Sequence, residues 1–271
     1  MSTNRRRFLK GSAALAAGAA AVSTAAAKEE APSPPFKFGR TRFAVNLEMW
    51  WSKLPFIRRI EEAARLGFTA IEFWPWQGKD IKAVAETCRR LKIEVAQFSA
   101  WGFTPGLNDP KNHNRFVEDV ERACEVGRQL DCRLFCVVGG NDIAGVSQTQ
   151  MHENIITGLR KAAPIAEKNN VTLMLESMNI RVDHKGHCLY GSEPALRIVK
   201  AVGSRHVKLL WDLYHMQISE GDLCGHLREG IGSIAYLQIA DTPGRNEPGT
   251  GEVHYNRVLK QLHDLGYRGY I

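Results

Sequence analysis

Seven short apolar runs recur along this chain, separated by segments of helical spacing, and that alternation restricts the fold more than any other feature. The runs are FAVNL (43–47), AIEFW (70–74), EVAQF (94–98), LFCVV (134–138), TLMLE (172–176), VKLLWD (207–212) and IAYLQIA (234–240). Between them, PFIRRIEEAARLGF places Ile57, Ile60, Ala64 and Leu66 on one side of a helix, with Gly67 as a stop. FVEDVERACEVGRQL and ENIITGLRKAAPIAEKNN repeat the pattern, and Pro164 predicts a kink in the second. An eighth strand starts near Arg268. No G-x-G-x-x-G follows the first run, which argues against a doubly wound dinucleotide-binding sheet. Seven to eight βα units in roughly 230 residues fit a (β/α)8 TIM barrel, for which ~250 residues is typical. The barrel is expected to occupy residues 43–271 as one domain. It would enter its eighth strand only at the chain's last residues, without the helix that follows that strand.

The front of the chain has a different character. Arg5 and Arg6, then Phe8, Leu9 and Lys10, precede an Ala-rich run from Gly11 to Ala26, and Ala25-Ala26-Ala27 fits a small-x-small cleavage site. Residues 1–27 resemble a twin-arginine export signal, which implies a periplasmic destination for an already folded protein. The run is too short and too rich in Ala and Gly to span a bilayer stably, so no lasting membrane association is expected after cleavage. Loss of these 27 residues leaves 244 and removes four basic residues and no acid, so the formal charge falls from +7 to +3. A charge this small, without a long Lys/Arg run, does not indicate nucleic acid as a partner. Residues 28–42 read as a Pro-containing lead-in segment. The six cysteines form no CxxC; Cys132 and Cys136 belong to a strand-like run, and Cys88 and Cys124 to helical patterns. They are expected to be free buried thiols acting as small apolar side chains.

In a barrel of this kind the working side chains stand at the C-terminal ends of the strands. The fifth run ends in Glu176, the sixth in Asp212, and the seventh carries Gln238. Two carboxylates and an amide carbonyl on successive strands suit a hard or borderline divalent cation, Mg²⁺ or Mn²⁺ before zinc. Polar groups gather on the adjoining loops: Asn179, Asp183, His184 and His187 after the fifth strand, His215 and Gln217 after the sixth, and Arg245, Glu247 and Glu252 after the seventh. Trp50, Trp51, Trp74, Trp76 and Trp101 lie near the ends of the first three strands. Aromatics on that face can wall a site against the CH face of a sugar or merely cap the core.

NLEMW, GFTAIEFWPW, LMLESMNIRVDHKGH, DLYHMQISEGDL and LQIADTPGRNEPGTGEVHY resemble the corresponding stretches of the hydroxypyruvate isomerase family, one of the xylose-isomerase-like barrels. The resemblance runs from about Phe43 to Ile271. It implies an aldose–ketose type isomerase that converts hydroxypyruvate to tartronate semialdehyde through an enediolate, with a divalent metal polarising the oxygens. Carried over by motif, Glu176 is a metal ligand and an acid/base, Asp212 and Gln238 are ligands, and His187, His215, Arg245 and Asn179 hold substrate. Trp50 and Trp101 would line the substrate's apolar side. The family's second glutamate lies past a G-Y-x-G-Y-I type of ending, so it is expected beyond Ile271. The partner is then a small carbohydrate or keto acid, met by a monomer or a homo-oligomer. Two alternatives stay open: a ketose 3-epimerase-type enzyme on a larger sugar, or a non-catalytic sugar-binding barrel. An endonuclease on this fold would want a His-rich multi-metal site and a strongly basic groove, which a charge of +3 does not supply.

Overall fold

The structure is a computed structural model that describes residues 41–271; the export-signal segment 1–27 and most of the lead-in lie outside the described residues. Seven strands form one sheet in chain order: β1 (Ala44–Asn46), β2 (Ala70–Phe73), β3 (Glu94–Trp101), β4 (Leu134–Val138), β5 (Thr172–Glu176), β6 (Val207–Asp212) and β7 (Ile234–Gln238). Every pairing is parallel. Parallel strands are covered on both faces, which is why their sequences read as continuous apolar runs. The last residues take the eighth place. Ile271 N–H donates to the Arg42 carbonyl, Ala44 N–H donates to the Ile271 carbonyl at 2.8 Å, and Leu237 N–H reaches the Tyr270 carbonyl at 3.3 Å. Tyr270–Ile271 therefore touches both β7 and β1 and closes the ring.

Among the described residues eight α-helices connect and follow the strands, two of them between β6 and β7: α1 (Phe56–Arg65), α2 (Ile81–Leu91), α3 (His113–Leu130), α4 (Gln148–Asn169), α5 (Ser192–Val202), α6 (Leu213–Ser219), α7 (Leu223–Gly230) and α8 (Tyr255–Asp264). Local chemistry starts several of them. The Asp80 side chain accepts from Ala83 N–H, Ser147 from Gln150 N–H, and Asp222 from Gly225 N–H, each satisfying a donor the helix cannot. One local expectation needs correction. Leu66 is about half exposed, because the helix ends at Arg65 and Leu66 caps it instead of continuing the buried stripe. The helix α4 continues through Pro164 to Asn169.

The core has two layers. Between sheet and helices lie Val45, Ile71, Phe73, Phe98, Phe135, Val137 and Leu173 among many others. Phe73, Phe98 and Phe135 follow one another across β2, β3 and β4 with centroids 5.9 Å and 4.7 Å apart. Each such buried side chain contributes roughly 1.5–3 kcal/mol. Inside the ring sits a smaller cluster of Ala70, Ala96, Cys136, Met174, Leu210 and Tyr236. All six cysteines are free, and all but Cys224 are buried. Among the described residues no helix is long and apolar enough to cross a membrane.

Two irregularities in β3 decide what its side chains face. Ile71 pairs with Val95 but Glu72 pairs with Gln97, so two β3 residues oppose one step of β2. A bulge of this sort re-aims a side chain, and here it brings Gln97 inward to Glu72. Further along, Ser99 pairs with Cys136 but Trp101 with Val137, an outward-facing residue. Trp101 accordingly enters the outer layer.

Candidate active site

Glu176, Asp212 and Gln238 are the terminal residues of β5, β6 and β7, and Asp212 and Gln238 are direct ladder partners. Asp212 Oδ1 accepts the Tyr214 N–H at 2.9 Å, which caps α6, while Oδ2 pairs with the Arg245 guanidinium at 2.8 Å. Glu176 Oε2 accepts the buried Cys136 thiol at 3.4 Å. Its other oxygen, Oε1, lies 3.9 Å from His215 Nε2, itself 3.6 Å from Asp212 Oδ2. One donor atom from each of Glu176, Asp212 and His215 falls within 4.8 Å of the others, and all three residues are buried. Burial, and then the charge of Asp212, push the Glu176 carboxyl up to about 8. A carboxyl in that range both takes and gives a proton near neutrality.

The imidazoles are assigned by their partners. Asn179 Oδ1 accepts two backbone N–H groups, from Val182 at 3.0 Å and Asp183 at 3.2 Å. That commits its Nδ2 as the donor to Asp183 Oδ2 and to His215 Nδ1, both at 2.7 Å. His215 Nδ1 is thus an acceptor, and in the neutral ring Nε2 carries the hydrogen. Burial lowers His215 to about 4, so it is neutral at ordinary pH. It offers an N–H, not a lone pair, to the space beside Glu176 and Asp212. His187 is the converse. Its Nδ1 lies 2.7 Å from the Leu189 carbonyl and 3.2 Å from the Leu189 N–H, and the shorter contact is satisfied with the hydrogen on Nδ1. Its Nε2 lone pair is buried without a hydrogen-bond partner among the described residues, and burial holds this ring near 4 as well. His184 stacks on Phe103 and stands edge-on to His215.

One functional group was not singled out by sequence reasoning. Glu72, in the middle of β2 and 4 % exposed, accepts Asn46 Nδ2 at 2.7 Å and Gln238 Nε2 at 2.7 Å on Oε1, and Gln97 Nε2 at 3.1 Å on Oε2. Burial raises its pKa, against the pull of Tyr236 and of these three amides. An acid inside an otherwise apolar run was the available signal.

The mouth is built by two loops. Residues 47–55 carry Met49, Trp50 and Trp51 and are tied by Arg59 of α1, whose guanidinium reaches the carbonyls of Leu54, Leu47 and Ser52 at 2.8–2.9 Å. The loop after β7 folds around the carboxylate of Asp241, which accepts N–H groups from Thr242, Gly249 and Val253. It presents Arg245, Asn246 and Glu247 to a cavity of about 510 Å³ that also exposes Trp50, Trp51, Trp74, Glu72, Asp212 and Gln238. Arg245 therefore faces Asp212 and the cavity at once. Trp50 lines this cavity. Trp101 does not line this cavity: it is buried edge-on against Phe116 of α3, 5.3 Å away, a packing role.

The donor set fits a divalent cation on its own chemistry. Gln238 Oε1 is buried with no hydrogen-bond partner among the described residues, and it belongs to the ladder partner of Asp212. With the Glu176 and Asp212 carboxylates it makes an all-oxygen set, the choice of Mg²⁺ or Mn²⁺. His215 stands within the same 4.8 Å cluster, but with a hydrogen on Nε2 it offers no lone pair there.

A closed ring of parallel strands with acids and an amide at three successive strand ends defines a class, and the chain belongs to the xylose isomerase-like TIM barrel family, whose model matches residues 60–271. Within that family it is similar to hydroxypyruvate isomerase of Escherichia coli (strain K12), at 32% identity over 237 residues, 85% of this chain and 91% of that one. It is also similar to 2-oxo-tetronate isomerase of Cupriavidus necator, at 31% over 240 residues, 85% of this chain and 90% of the relative. Among solved structures, an AP endonuclease of family 2 from Brucella melitensis superposes with a TM-score of 0.80 at 28% identity, covering 85% and 91% of the two chains. D-psicose 3-epimerase of Clostridium cellulolyticum H10, solved with D-tagatose, shares the fold with a TM-score of 0.73 at 20% identity, over 85% and 83%.

Proposed function

We propose that this chain is a divalent-metal-dependent isomerase of a small hydroxy-carbonyl compound, of the hydroxypyruvate isomerase type. The observation that carries it is the buried Glu176 carboxyl, with Oε2 held by Cys136 and Oε1 facing the Asp212 carboxylate and the His215 N–H. Glu176, Asp212 and Gln238 would hold Mg²⁺ or Mn²⁺, which supplies Lewis-acid stabilisation of charge on the substrate oxygens.

The residues do the rest. Glu176 takes the proton from the carbon beside the carbonyl. The C–H electron pair becomes a carbon–carbon double bond, and the carbonyl oxygen gains negative charge. The His215 N–H donates to that oxygen, and the His187 Nε2 lone pair accepts from the neighbouring hydroxyl. A proton is then returned to the former carbonyl carbon as the hydroxyl proton passes to the former carbonyl oxygen. An α-proton of this kind is too weakly acidic for a free carboxylate in water, so charge stabilisation in a dry site is required. Arg245, at the mouth, suits a substrate carboxylate. The twin-arginine pattern at Arg5 and Arg6 supports a periplasmic site of action.

The test is exchange. With Mn²⁺ in deuterated water, the chain is expected to introduce deuterium at the reactive carbon of hydroxypyruvate, a step that needs Glu176 but no second carboxylate. Exchange that persists undiminished in Glu176→Gln rejects this role. The Trp50, Trp51 and Trp74 wall favours a second reading, a 3-epimerase-type reaction on a larger ketose. Exchange with a ketohexose and none with hydroxypyruvate would select it. Sugar binding without exchange on either substrate would make the barrel a binding protein.

A further inference from the structure

We infer that Glu72 is a positioning residue, which turns the Gln238 side chain so that its oxygen and not its nitrogen faces the strand-end carboxylates. This rests on the metal-site reading above. The two ends of an amide are nearly the same size and chemically opposite, so the neighbours alone decide which one points where. The neighbours form a chain of commitments that starts in the backbone. Glu48 and Met49 donate their N–H groups to Asn46 Oδ1 at 2.9 Å and 3.0 Å. Asn46 must then present Nδ2, and it does so to Glu72 Oε1 at 2.7 Å. Glu72 Oε1 is fixed as an acceptor, so the second amide on it, Gln238 at 2.7 Å, must also present its nitrogen. The Gln238 oxygen is left buried and unpartnered, on a residue that lines the cavity together with Asp212. The logic does not depend on the charge of Glu72, because a proton on Oε2 leaves Oε1 an acceptor. The β1–α1 loop thereby sets the orientation of a side chain on β7, the far neighbour across the seam of the barrel.

The experiment measures Mn²⁺ affinity by electron paramagnetic resonance on the full chain, with folding checked by near-ultraviolet circular dichroism. Glu72→Met keeps the volume and removes the acceptor. It is expected to lower Mn²⁺ affinity about tenfold or more, the usual effect of losing an outer partner of a ligand. Glu72→Gln, which can still offer an oxygen to Asn46 and Gln238, should stay within about threefold of the parent, well short of that loss. The decisive variant adds Gln238→Glu to Glu72→Met. A carboxylate has oxygen at both ends and needs no orienting, so affinity should return even though the acceptor at position 72 is still missing. If Glu72→Met does not fold, Glu72→Ala, which leaves room for water, replaces it with the same comparison. Unchanged affinity in Glu72→Met, or failure of Gln238→Glu to restore it, overturns the role of Glu72 alone. A parent chain that binds no Mn²⁺ overturns the metal site as well.

Discussion

The metal-free chain should lose stability as pH rises from 6.5 to 8, and Glu176 should be the cause. Its folded carboxyl titrates near 8 against an ordinary value of 4.5. Across that interval the folded chain keeps a proton that the unfolded chain has released. A raised pKa gives stability that is complete below the ordinary value and is lost as pH climbs through the folded one. The slope is at most about 1.4 kcal/mol per pH unit, so the loss over the upper part of the interval is of order 2 kcal/mol. His187 and His215 work with the opposite sign: with rings held near 4 in the fold, they gain some stability as the unfolded imidazoles finish losing protons above 6.5, an offset common to the parent and the Glu176 variant. Urea unfolding in excess chelator, at pH 6.5 and at 8, measures the difference. Glu176→Gln removes the titration while keeping the shape, and its loss should be smaller by about that amount; thiols and Glu72 contribute to both chains and cancel. Mn²⁺, which binds the ionised carboxylate, should reverse the trend in the parent only. Parallel pH dependences in the parent and in Glu176→Gln would refute the reasoning.

Two further outcomes follow from single contacts. Asn179→Leu removes the donor that fixes His215 Nδ1, so ¹⁵N NMR of the ring should change from one tautomer, with hydrogen on Nε2, to a mixture. Gly127→Ala should cost about 1–3 kcal/mol by overpacking, because a Cβ there would sit 2.6 Å from Phe135 Cζ and 2.7 Å from the Cys132 carbonyl; a lowered urea midpoint reads it.

The strand-end acids were legible because a barrel turns a position along a strand into a position in space. Glu176 and Asp212 close their apolar runs, and the fold brings such ends together. The histidines were legible as polar groups on the right loops. Their tautomers were not, since these depend on which backbone N–H groups occupy Asn179. Glu72 escaped notice for a related reason. Its amide partners lie 26, 25 and 166 residues away, and one of them points inward only because of a bulge that no spacing rule announces. Trp101 shows the opposite failure. Proximity to a strand end suggested the mouth, but the shifted register at Ser99 sends the ring to the helices.

The carboxylate of Asp241 has a consequence beyond its hydrogen bonds. By gathering the N–H groups of Thr242, Gly249 and Val253, it ties the root of the loop after β7 at both ends. The tip is held through its backbone, the Asn246 carbonyl accepting the Asp241 N–H and the Glu247 carbonyl the Thr250 N–H, while Arg245 and Glu247 line the cavity. At the tip, the loop is therefore held by backbone atoms, and the side chains there are left to the cavity. A barrel with this arrangement can exchange what it reads in a substrate by changing side chains at the tip, without having to rediscover how the loop is held.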